Sequence, residues 1–75
     1  MLRSGMRGVH VRTLQQLLKD LGYYLKEPSG QFDAETVRAV QAFQRDHQLN
    51  VDGIVGRQTW MVLRHFGYVA LAETT

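Results

Sequence analysis

Gly30-Gln31-Phe32-Asp33-Ala34-Glu35-Thr36-Val37 returns 23 residues later as Gly53-Ile54-Val55-Gly56-Arg57-Gln58-Thr59-Trp60. Both stretches read glycine, any residue, an apolar residue, a capping residue, two variable positions, threonine and a large apolar residue. The pattern has a mechanical reason at each step. Glycine permits a sharp bend that other residues resist. The apolar residue docks the incoming segment on a core, and the capping residue answers the free backbone N–H groups of a helix start. The threonine, at the third helical position, satisfies a further donor. Two lead-ins of one design therefore predict two helices packed around one core.

Working outward, Asp33 is the N-cap of a helix with a stripe of Thr36, Val37, Val40, Phe43 and His47, and with Glu35, Arg38, Arg45 and Asp46 on its other side. Upstream, Val11, Leu14, Leu18 and Leu21 recur at spacings of three and four with Leu17 beside them, which predicts a helix over about residues 9–21 that stops at Gly22. Residues 23–31 read as a loop because Pro28, Ser29 and Gly30 are turn formers. Residues 50–53 form a turn. A third helix begins at Gly56 or Arg57, carries Thr59, Val62, Leu63 and Phe66 on one face with Trp60 at its edge, and ends at Gly67. The exits of the first and third helices echo each other as Leu21-Gly22-Tyr23 and Phe66-Gly67-Tyr68. Tyr68, Val69 and Leu71 are expected to pack back on the core, and residues 73–75 to fray. The fold class is all-α: a compact three-helix bundle with two ordered, glycine-bent loops, in a single domain over residues 1–75 with its core at about 2–69.

Composition narrows the function. The chain has 75 residues, 44% of them hydrophobic and 21% charged, with one proline, as a globular domain does. At this length only about 60% of the unfolded chain's surface is buried, so a deep active site has little room. With no cysteine, neither a disulfide nor a thiolate metal site contributes, and apolar packing must hold the fold alone. The net charge is +2, from nine Lys plus Arg against seven Asp plus Glu. The densest basic stretch, Arg3, Arg7, His10 and Arg12, is spaced and broken by glycines, unlike the basic face of a nucleic-acid reader. Nothing nears the roughly 18–20 apolar residues that span a bilayer, and no apolar segment follows the N-terminal arginines as in a signal peptide. Neither nucleic acid nor membrane insertion is expected, and export information is expected to lie outside this chain.

The spaced positions Leu2-Arg3-Ser4-Gly5-Met6-Arg7-Gly8, Val11, Leu14-Gln15, Leu18, Gly22-Tyr23, Gly30-Gln31-Phe32-Asp33, Thr36, Ala39-Val40, Phe43-Gln44, Leu49, Asp52-Gly53-Ile54-Val55-Gly56, Thr59-Trp60 and Leu63 agree in order with one pattern. In these the chain closely resembles the peptidoglycan-binding-domain-like family, the three-helix module appended to cell-wall hydrolases, carboxypeptidases and phage endolysins. The resemblance covers about residues 2–66. It departs at Asp33, where glycine is common, and in the more charged loop 23–31. The resemblance implies a non-catalytic module that binds peptidoglycan, glycan and stem peptide, and targets a fused or associated hydrolase or assembly to the wall. It also implies a monomer in the cell envelope or outside the cell. Signature positions of this kind are mostly core and caps and speak for fold before function. Relatives of the same fold also serve as metalloprotease pro-segments and in secretion machinery, so a protein–protein module is the alternative.

The ligand-binding candidates are Tyr24, Asn50, Asp52, Arg57, Gln58 and Trp60. Asn50, Asp52, Arg57 and Gln58 cluster at a polar loop and the first turn of the third helix, with little core to serve. Free N–H donors there, with the forked Arg57 cation, suit amides, hydroxyls and carboxylates. The competing reading is a solvated loop with a structural Asp-Gly turn. Tyr24 is taken as the outward ring of the Tyr23-Tyr24 pair and as the wall of this groove. Trp60 is read first as core and second as a face for a sugar ring. Gln44, beside the apolar stripe, is expected to bond loop backbone. His10, His47 and His65 lie on three segments without a close helical pair, so no metal site is expected. The only serines, Ser4 and Ser29, lack an acid–base partner, so neither catalysis nor a cofactor is expected. A helix-turn-helix DNA reader is disfavoured, because the third helix offers chiefly Arg57, Gln58 and Arg64 for base contacts.

Overall fold

In a computed structural model, which describes the backbone of residues 1–74 and the side chains of residues 1–69, the chain forms α1 (Val9–Asp20), α2 (Ala34–Asp46) and α3 (Arg57–Thr74). The stripe of α1 buries Val11, Leu14, Gln15 and Leu18. Its end is a left-handed cap: Gly22 has φ +90°, its N–H donates to the Lys19 carbonyl and the Tyr23 N–H to the Leu18 carbonyl, the paired bonds that answer a helix's last carbonyls. α2 begins at Asp33, whose carboxylate accepts from the Thr36 N–H at 3.0 Å and the Thr36 hydroxyl at 2.8 Å. It ends by the same device as α1, with Gln48 at φ +58° in the glycine's place, donating to Arg45, and with Leu49 donating to Gln44.

The core joins Val11, Leu14 and Leu18 of α1, Tyr24, Phe32, Ala39, Val40 and Phe43 around α2, and Val55 and Leu63. Phe32 and Val55 are the apolar residues of the two lead-ins, docked as expected. Residues 2–8 run across both lead-ins as a strap. Leu2 and Val55 exchange backbone bonds at 3.0 and 2.8 Å, Gly5 donates to Phe32, Phe32 donates to Met6, and Gly8 donates to Gly30. The loop after α1 is tied to the helices by ion pairs of Lys19 with Glu27 and of Lys26 with Glu35.

One expected boundary is wrong. α3 does not stop at Gly67 but runs through it to Thr74. Gly67 is buried, and a Cβ placed there would lie 2.5 Å from Leu17 Cδ2. The glycine is a notch that lets α1 approach α3, not a cap. Because the helix continues, Tyr68 and Val69 stay exposed instead of folding back. The expectation for Leu71 falls outside the described side chains; residues 73 and 74, expected to fray, are the end of α3, and residue 75 lies outside the described backbone.

Candidate functional site

Each lead-in is clamped by one buried glutamine from the preceding helix. Gln15 Oε1 accepts from the N–H groups of Ser29 (2.9 Å) and Gly30 (2.8 Å), while its Nε2 donates to the Gln31 carbonyl (2.8 Å) and the Thr36 hydroxyl (2.9 Å). Gln44 repeats the arrangement, accepting from Asp52 (3.2 Å) and Gly53 (3.0 Å) and donating to the Ile54 carbonyl (2.9 Å) and the Thr59 hydroxyl (3.2 Å). Among the described residues no buried side-chain polar atom lacks a partner. Gln44 thus serves loop backbone as expected. The matching role of Gln15 was not anticipated, although an amide set between Leu14 and Leu18 on a buried stripe is a readable signal.

Both lead-ins solve the same folding problem, so a position that differs between them and makes no equivalent contact in either is free of it. Asp52 stands where Ser29 stands. Its Oδ1 accepts from the Ile54 N–H (2.9 Å) and from Gln44 Nε2 (3.0 Å), much as the Ser29 hydroxyl accepts from Gln31 (3.2 Å). Those bonds, the Ile54 N–H first, hold the Asp52 carboxyl below the usual carboxylate range. Asp52 therefore serves the turn. Arg57 and Gln58, by contrast, are exposed and replace Ala34 and Glu35, so the fold alone does not demand them, whereas Trp60 keeps the apolar, core-packed role of Val37 with a larger ring.

These side chains line two adjoining clefts. One, of about 250 Å³, has Asn50, Asp52, Arg57 and Gln58 in its walls. The other, of about 450 Å³, lies between the strap and α3 and is lined by Met1, Leu2, Met6, His10, Val55, Gly56, Arg57 and Trp60. Met1, Gly56 and Arg57 form the ridge common to both. Trp60 is half-buried: it packs on the core, and it also faces the second cleft. Arg57 and Gln58 are exposed, and among the described residues no carboxylate pairs with Arg57.

Residues 7–63 match the family described as "Putative peptidoglycan binding domain". The chain belongs to this peptidoglycan-binding-domain family. Among its relatives, N-acetylmuramoyl-L-alanine amidase CwlM of Mycobacterium tuberculosis is 42% identical over 69% of the chain. N-acetylmuramoyl-L-alanine amidase CwlL of Bacillus licheniformis is 37% identical over 88% of it. Carboxy-terminal processing protease CtpA of Bacillus subtilis is 39% identical over 76%. The chain spans only 13%, 19% and 12% of these relatives' lengths. The crystal structure of the SleB N-terminal domain superposes with a TM-score of 0.86 at 33% identity, covering 88% of this chain and 90% of that one. The three-helix fold expected from the sequence is the fold of that domain.

Within this peptidoglycan-binding domain the expected tyrosine wall is absent. Tyr24 is 1% exposed and belongs to the core, because the N–H groups of Tyr23 and Tyr24 both bond the Leu18 carbonyl and turn the chain back over the end of α1. Tyr23 is the ring that reaches outward. It meets Phe43 edge-on and donates its hydroxyl to Asp46 at 2.7 Å. Burial, then the bond to Asp46 and its charge, push the Tyr23 hydroxyl up to about 12. His47 caps α2 and stacks between Phe43 and Phe66, with centroids 4.3 and 4.5 Å away. His10, weighed in the sequence as part of the spaced basic stretch and as a metal ligand, lines the cleft beside Trp60.

Proposed function

We propose that the chain is a non-catalytic anchor that holds an attached enzyme or assembly on peptidoglycan, at the cell wall or outside the cell. Its contact surface would be the ridge at Arg57 with Asn50, Gln58 and Trp60, while Asp52 holds the loop in shape. The observation that carries the reading is the family match over residues 7–63. The breadth of the relatives supports its non-catalytic character. Segments similar to this one occur in proteins named as amidases and in one named as a processing protease, so the common element does not dictate the chemistry of either. A module of this kind acts by tethering: it raises the local concentration of its attached partner at the wall, so modest affinity suffices.

Incubation of the chain with purified insoluble peptidoglycan, followed by centrifugation, tests the proposal. The protein is expected in the pellet and to be displaced by soluble wall fragments. Persistent recovery in the supernatant at low salt would refute it.

A further inference from the structure

Arg57 and Trp60 sit three residues apart on the first turn of α3 and line the same cleft, which on a helix sets their Cβ atoms about 5–6 Å apart. Among the described residues no carboxylate lines that cleft; its polar side chains are His10 and Arg57, against the apolar surfaces of Met1, Met6 and Val55. The first lead-in carries Ala34 and Val37 at the equivalent places. Both Val37 and Trp60 pack on the core, so folding calls for an apolar residue there. The exposed Arg57 cation and the extra face that an indole offers over a valine are not part of that shared requirement. A ligand matching this surface is flat and weakly polar on one face and carries an anion within about one helical turn of that face.

Resting on the wall-binding reading above, we infer that the cleft selects muramyl sugar whose lactyl carboxylate is free, that is, glycan from which the stem peptide has been removed. The lactyl ether holds its carboxylate directly beside the pyranose, so a ring stacked on Trp60 presents it to Arg57. A carboxylate on the stem peptide lies up to roughly 3.5 Å further off for each residue interposed. In intact wall the lactyl carboxyl is an amide, a neutral acceptor that bonds a guanidinium about half as strongly as a carboxylate does. The module therefore accumulates on strands where amide cleavage has already occurred and holds its partner near the site just processed.

The test is a titration of the chain, followed by NMR, with three oligosaccharides of equal length. The first is peptide-free glycan with free lactyl carboxylates, the second is the same glycan bearing stem peptides, and the third is chitin oligosaccharide, which has no lactyl group. The peptide-free glycan is expected to bind about tenfold more tightly than either other, with shifts centred on the Arg57 side chain and the Trp60 indole. Arg57→Gln, at an exposed position and with melting unchanged, is expected to bring its preference over chitin oligosaccharide close to one, and Arg57→Lys to restore it partly. Equal affinity for peptide-free glycan and chitin oligosaccharide, or tighter binding of the peptide-bearing glycan, overturns the inference. If insoluble peptidoglycan retains the chain but the oligosaccharides are not discriminated, this inference alone falls. If nothing is retained or bound, the wall-binding reading falls with it.

Discussion

Gln48 is the one residue other than glycine with a positive φ among those described, at +58°. It occupies the place that Gly22 fills at the end of α1, with the same pair of bonds around it. A side chain in the left-handed region costs about 1–2 kcal/mol, partly offset by the entropy that glycine would lose on folding. Gln48 is exposed, so Gln48→Gly is expected to stabilise the domain by about 0.5–1 kcal/mol. Urea denaturation checks this through a raised midpoint at unchanged slope. The adjacent tyrosines teach the opposite lesson about single residues. Tyr23 and Tyr24 have the same chemistry one position apart, and only the path of the chain after Gly22 decides that Tyr24 enters the core. Residue type could not reveal that, whereas it did reveal Arg57 and Gln58 as polar groups with no core to serve.

Helix starts were legible because they depend on local chemistry: an aspartate at position 33 meets its own helix's N–H groups whatever surrounds it. Helix ends were legible at α1, where Gly22 itself turns the chain, and at α2, whose apolar stripe stops at His47, but not at α3. Leu21-Gly22-Tyr23 and Phe66-Gly67-Tyr68 are nearly the same letters with opposite outcomes. A Cβ at Gly22 would meet nothing within 4 Å, whereas one at Gly67 would meet Leu17 at 2.5 Å. Tertiary contact, and not local preference, fixes the second. The overlap is with one terminal methyl of the half-buried Leu17, so Gly67→Ala is expected to set the cost of turning that side chain off its rotamer, about 0.5–1.5 kcal/mol, against a helix-propensity gain of about 1 kcal/mol, and to leave stability nearly unchanged. In a Leu17→Ala background the notch is no longer filled, and the same substitution is expected to stabilise by about the full propensity gain. Thermal melts of the four proteins check this dependence; a Gly67→Ala effect independent of residue 17 would remove the close-approach explanation.

Across the whole molecule, stability is expected to decline at both ends of the pH range for opposite reasons. The Asp33 carboxyl is held below its usual range by the Thr36 N–H and hydroxyl, and Asp52 is held there by Ile54 and Gln44. Groups depressed in the folded state contribute stability above about pH 4, and that contribution fades as pH falls through their lowered values. Tyr23, raised to about 12, contributes below about pH 10 and loses its contribution as pH rises through its folded value. Melting temperature against pH is expected to fall on each side, with Asp33→Asn flattening the acid limb and Tyr23→Phe the alkaline one. The strap over both lead-ins carries a different consequence. Leu2 finds its backbone partner only at Val55, so during synthesis Leu2 stays unmatched until α1, the long loop and α2 have all been made. Closure of that ring joins positions far apart in the chain, and such late, non-local pairing slows folding well below what a three-helix domain with only neighbour contacts would reach.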